Sequence, residues 1–232
     1  MARQLGDDGR RDRRCDPGPR RRDPEGAVVT GAEQLAVAAR TLLAGFDQPE
    51  LASFLDDWPA PDAARRADEP RSLPVLRWLD RLPPLAVADT RALVEGVVGA
   101  AAALAWGQTY AAGDLGERFL ERYGWSELIG LRGPIASDRL ACGVLLLGPK
   151  IEYPPHSHAA EEIYLPLAGT AEWLRDGEGW RQRRPGELIH HPSGIAHAMR
   201  TGEQPLLALY LWRGGDLAQK SKLLGGGSID HA

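Results

Sequence analysis

The amino-acid sequence predicts a mainly β protein with an α-helical N-terminal region, its strands forming a closed or sandwiched antiparallel sheet toward the C-terminus. Three observations predict this. From Thr30 to about Tyr123 the chain is Ala- and Leu-rich with helical spacing of its apolar positions. After about residue 125 it breaks into short apolar or alternating runs. Those runs are separated by Gly, Pro and Asp-Gly turns, with Asp176-Gly177 a hairpin signal.

At the N-terminus, residues 1–26 interleave eight arginines with Asp7, Asp8, Asp12, Asp16 and Asp23, plus Gly and Pro. A segment that cannot bury apolar surface is expected to be a disordered arm. Residues 27–124 form the helical region, a bundle of about four to five helices packed on the barrel. Leu35, Ala38, Ala39 and Leu42 mark the stripe of a helix that Thr30 caps and Gly45 ends. Pro49, Pro59, Pro61, Pro70 and Pro74 punctuate shorter helices, and Asp89 is the expected N-cap of a long one, Thr90 to Trp106. Residues 125–222 form the β-barrel. Its expected strands are 139–148, 162–167, 170–175, 179–183, 187–190, 196–200 and 206–213. Residues 223–232, with Gly225-Gly226-Gly227-Ser228, read as a flexible tail.

With 232 residues, 43% of them hydrophobic, the chain can bury one large core, and its formal net charge of −4 lacks the basic field of a nucleic-acid binder. The longest apolar stretch, Val97 to Trp106, is about half of what a membrane span requires. Two cysteines, Cys15 and Cys142, support no disulfide framework, which fits a cytoplasmic protein.

Five of the six histidines fall between residues 156 and 197. In His156-Ser157-His158 the two imidazoles project to one face of a strand. Glu162 comes four residues later, with Tyr164 at the same parity. Three neutral imidazoles and a carboxylate, here His156, His158, His197 and Glu162, suit one divalent transition-metal ion, with Fe, Mn, Zn, Ni and Co all admissible. Such a site keeps open positions for an anionic ligand. Glu161 is the rival to Glu162, and His190 and His191, either of which could support a ligand from behind, are expected to be structural or solvent-facing.

The residues also match a family pattern. The segment from His156 to Gly169 resembles the first cupin motif, HxHxxxE followed by Gly, and Gly186 to His197 resembles the second, G(x)5PxG(x)2H. Lys150 stands where the first motif opens with Gly, and Thr201 where the second often closes with Asn. The resemblance implies a cupin double-stranded β-helix, a jelly-roll barrel preceded by a helical segment. Over about residues 140–217, Tyr153-Pro-Pro-His156-Ser-His158 through Trp173, then His190 through Leu217, the chain is similar to the cupin-type dimethylsulfoniopropionate (DMSP) lyases of the DddL and DddQ groups.

That resemblance implies β-elimination of DMSP, a zwitterionic small-molecule carboxylate, to dimethyl sulfide and acrylate. Tyr164 is then the base. Tyr153 would orient substrate or serve as an alternative base, and Tyr210 and Trp212 would wall the sulfonium through cation–π attraction. A bland alternative makes Tyr164 a core residue hydrogen-bonded to Glu162. No nucleic-acid or membrane partner is implied, and a homodimer is compatible with the family. Rival readings are another metal-cupin enzyme, a dioxygenase or isomerase, or a non-catalytic small-molecule sensor.

Overall fold

The computed structural model describes residues 31–224. The Arg-rich arm, Thr30 with its expected cap, Cys15 and the Gly-rich tail lie outside the described residues.

Helix α1 (Gly31–Leu43) buries Ala32, Leu35, Ala36, Ala39 and Leu43, the i, i+3, i+4 stripe of a helix with one covered face. It ends where Gly45 N–H donates to Leu42 O. Proline opens α2 (Pro49–Asp56) and the 3₁₀ turns Pro74–Arg81 and Pro83–Leu85, where its missing N–H has no partner to lose. The next helix, α3, spans Ala88–Ala100. Its N-cap is Val87, so Asp89 sits inside the first turn, where its charge still complements the helix dipole. The helix also stops short of Trp106: a 3₁₀ turn at Ala101–Ala103 comes next, and the buried Trp106 indole donates to Ala101 O at 3.0 Å. Two single-turn helices, α4 (Ala112–Leu115) and α5 (Glu117–Leu120), lead into the sheet.

The strands are β1 (Tyr123–Gly130), β2 (Ile135–Ala136), β3 (Leu140–Leu147), β4 (Glu152–Ser157), β5 (Glu161–Ala168), β6 (Ala171–Arg175), β7 (Gly179–Arg183), β8 (Ile189–His191), β9 (His197–Thr201), β10 (Leu206–Arg213) and β11 (Lys222–Leu223). They form a six-stranded sheet, β2-β1-β3-β10-β5-β8, and a five-stranded sheet, β11-β4-β9-β6-β7. Every pairing is antiparallel except the short β1–β2 contact. This is the cupin β-barrel preceded by helices. The barrel starts at Tyr123 rather than 125 and runs to Leu223, because Leu223 pairs with His156.

The six-stranded sheet is covered on both faces, which is why β3 reads as an unbroken apolar run. Cys142, Val144 and Leu146, with Ile163, Leu165, Leu167, Leu207, Leu209 and Leu211, join the helices in one core. The alternate residues Leu145, Leu147, Tyr164, Leu206 and Ala208 face the barrel interior with Tyr153, Trp173 and Met199 from the other sheet. The helices therefore lie as a layer on a sheet rather than as a free-standing bundle. Thr90 Oγ1 on α3 donates to Leu167 O on β5 at 2.7 Å and pins that layer. Lys150 has φ 55, in the left-handed region, which accounts for glycine at this position of the motif.

Candidate metal centre and active site

Strand parity assembles the site. On β5, Glu162 and Tyr164 point inward while Glu161 points away and pairs with Arg213 and His190. On β4 the register slips between Tyr153 and His156, at Pro154-Pro155, so both of these side chains turn inward despite odd spacing. His156 pairs in register with His197 at the start of β9. His158 comes directly after β4.

His156, His158 and His197 form a buried group whose ligand nitrogens lie within 4.8 Å of one another. Glu162, 0% exposed, places Oε2 at 3.0 Å from His158 Nε2 and 3.1 Å from His197 Nε2. Each histidine rests its Nδ1 on a backbone carbonyl: His156 on Pro154 O at 2.8 Å, His158 on Ala160 O at 2.8 Å, His197 on Ile195 O at 3.1 Å. A carbonyl only accepts, so Nδ1 carries the proton and the Nε2 lone pairs converge. Nitrogen lone pairs against a carboxylate oxygen repel unless a cation sits among them. His197 Nε2 makes no hydrogen bond of acceptable geometry although it is buried. The four side chains thus fit a divalent ion, with carbonyl supports of the kind that orient metal-bound imidazoles.

The electrostatics agree. Burial, then neighbouring His197, holds the His156 imidazole well below its ordinary range. Burial alone would push the Glu162 carboxyl up, but His158 and His197 bring it well below the usual carboxylate range. His158 is the exception: burial would lower it, but the charge and hydrogen bond of Glu162 raise it, as Glu162 favours any positive charge held between the two.

A cavity of about 250 Å³ opens beside the centre, and Glu162, Tyr164, Tyr153, Tyr210 and Trp212 all line it. Residues 58–208 match the DMSP lyase family model. The chain belongs to the DMSP lyase family. It is 38% identical over 183 residues to the DMSP lyase DddQ of Ruegeria pomeroyi, covering 76% of this chain and 90% of the relative. A DddL-type protein of Cereibacter sphaeroides is 34% identical over 130 residues, 54% of each chain. The crystal structure of the Ruegeria pomeroyi DddQ superposes with a TM-score of 0.74 at 36% identity, over 83% of this chain and 95% of that one.

Within this DMSP lyase family member the tyrosines and Trp212 take distinct positions. Tyr164 is buried opposite Tyr210 in the β5–β10 register. Burial, then the charge of Glu162 and a hydrogen bond to it, push the Tyr164 phenol well above 10. Tyr153 stacks on His156, ring centroids 4.0 Å apart, and shares a 2.9 Å hydrogen bond with Tyr110. Trp212 stacks on His158 at 4.1 Å and donates Nε1–H to Glu162 Oε1 at 2.5 Å. It holds a site carboxylate as well as lining the cavity.

Several site residues were not anticipated. Tyr123, Trp125 and Glu127 alternate on β1 and all line the cavity. Their period-2 spacing was the available signal. Glu127 is 6% exposed, and its Oε1 accepts the N–H groups of Arg132 at 2.6 Å and Gly133 at 2.8 Å. Of the structural and solvent-facing alternatives, His191 takes the first and His190 stays nearer the second. β8 pairs Glu162 with His191, which sends His191 inward and leaves His190 at the half-buried outer face, bonded to Glu161 at 2.8 Å. His191 is fully buried and stacks on His197, ring centroids 4.2 Å apart.

Proposed function

We propose that this protein cleaves DMSP by β-elimination, releasing dimethyl sulfide and acrylate, with Tyr164 as the base and His156, His158, Glu162 and His197 as the ligands of one divalent transition-metal ion. Membership of the family supports a carbon–sulfur lyase. The observation that carries the site assignment is the convergence of three imidazole nitrogens on Glu162, which itself lines a cavity walled by Tyr and Trp rings.

When bound, the ion supplies Lewis acidity that stabilises negative charge developing next to a carboxylate. The chain's own residues do the rest. Tyr164 Oη takes the proton from the carbon next to the substrate carboxylate. The C–H electron pair becomes the new C=C bond, the C–S bond breaks, and its electron pair leaves with neutral dimethyl sulfide. Burial, then the charge of Glu162, hold the Tyr164 phenol well above 10, and a cation held by Glu162 would favour the phenolate that acts as base. Aromatic faces of Tyr210 and Trp212 suit the sulfonium, at ~0.5–2 kcal/mol for a cation–π contact.

Two variants test the roles separately. Tyr164→Phe is expected to lose dimethyl sulfide release by at least ~10²-fold, the scale of a lost general base, while keeping its metal. His197→Ala is expected to lose metal and activity together. An active, metal-loaded Tyr164→Phe removes it as the base, and full metal content in His197→Ala removes that ligand.

A further inference from the structure

A second cavity of about 270 Å³ lies at the seam between the sheets and shares no lining residue with the first. Its walls come from β7, the edge of the five-stranded sheet, from β8, the edge of the six-stranded sheet, from Trp173 on β6, and from the start of α2. None of the chemistry above uses it. At several times the ~30 Å³ of one water, it is more than a packing defect.

Three lining residues leave buried nitrogens unpaired among the described residues. Trp173 is 2% exposed and its Nε1–H has no acceptor. His191 is 0% exposed, and neither ring nitrogen has a partner. Arg183 Nε is likewise buried and unsatisfied. Buried polar groups are nearly always hydrogen-bonded, and each one left unpaired costs ~1–3 kcal/mol. Three such residues on one cavity point to something that pairs with them.

The chemistry of these groups selects the partner. An indole N–H and a guanidinium N–H only donate, and the guanidinium carries a full positive charge. The His191 imidazole offers a ring N–H to a partner in the cavity. Arg175, also on the seam, is engaged: it donates to His190 O at 3.0 Å and pairs with Glu178. Arg183 is the less committed one, its Nη1 only 3.9 Å from Glu187 Oε2. Donors from different strands around one guanidinium suit a small planar anion that accepts on both oxygens.

We propose that this seam cavity binds a small carboxylate anion, held by Trp173 Nε1–H and Arg183, with His191 against it. His191 also stacks on His197, so one imidazole links the seam cavity to the candidate metal centre. The proposal does not rest on the lyase reading, and its test uses no turnover.

The full-length protein, ¹⁵N-labelled and loaded with diamagnetic zinc, is titrated with acetate while the indole Nε1–H resonances are recorded. Trp173→Phe assigns the Trp173 signal. Acetate is expected to shift that signal downfield and saturably. In Arg183→Gln the half-saturating concentration should rise at least ten-fold, and Arg183→Lys, which keeps the charge but not the Nε–H, should fall between. Acetate reaching the metal instead would register at Trp212, which touches His158 and Glu162. A Trp173 signal that does not saturate, or that saturates identically in Arg183→Gln, overturns the proposal.

Discussion

Trp212 shows how one side chain serves both the centre and the cavity. Its ring lies on His158 and its N–H holds the Glu162 oxygen that does not face the imidazoles. Trp212→Phe keeps an aromatic ring and deletes that donor, so metal affinity is expected to fall about 10–100-fold, the usual effect of losing a group that orients a ligand. Competitive titration against a chelator measures it. Glu127 gives a second prediction. Burial raises its carboxyl pKa against the opposing N–H groups of Arg132 and Gly133. A raised folded-state value means that the protonated form stabilises the fold: this contribution is present below the ordinary value of 4.5 and is lost as pH rises through the folded value. Glu127→Gln cannot ionise and keeps an acceptor for both N–H groups. Its Tm should therefore gain on wild type as pH rises from 4 to 7, and a gain that shrinks over that range contradicts the assignment. The four candidate ligands were legible because HxHxxxE and the PxGxxH end are local spacings. Glu127 and His191 were not: Glu127 shares a period-2 run with Tyr123 and Trp125, but which face of a strand is buried depends on which strands pair.

At the scale of elements, the period-2 pattern from Leu140 onward located most of the barrel to within two residues, because one face of each strand is apolar. It failed at β1, where Tyr123-Gly124-Trp125-Ser126-Glu127 alternates aromatic and acidic cavity residues with small ones rather than apolar with polar. It also failed for the helix after Asp89. Ala-rich sequence would have continued to Trp106, but the backbone there pairs with Arg71 instead: Leu104 O accepts Arg71 N–H at 3.1 Å and Trp106 N–H donates to Arg71 O at 3.2 Å. Gly169 marks a turn that only glycine fills. Its φ is +80, and an added Cβ would lie 1.9 Å from Pro205 O. Gly169→Ala is expected to destabilise by about 2–5 kcal/mol, strain plus overpacking, with little change in m-value. Denaturant melts check it: a cost below ~1 kcal/mol would mean that the β5–β6 turn yields easily.

Across the whole molecule, the helical layer seals one face of the six-stranded sheet while the other face carries the inward-pointing chemistry of β1, β5 and β10. Among the described residues no helix is long and apolar enough to cross a membrane. The two sheets meet around the histidines and Glu162, so the candidate ligands come from β4, the residue after it, β5 and β9 and depend on closure of the barrel. The composition pointed to one core, and the motifs to a barrel with helices before it. The way the helices cover the sheet was not legible, because it depends on contacts such as Thr90 to Leu167, 77 residues apart. The most direct test of the central claim uses the intact protein, stripped by chelator and reloaded in turn with Fe(II), Mn, Co, Ni and Zn, mixed with DMSP without oxygen. Dimethyl sulfide in the headspace, matched by an equal amount of acrylate in solution and dependent on added metal, is the predicted result. No dimethyl sulfide with any of these ions, or release only when oxygen is admitted, would contradict it.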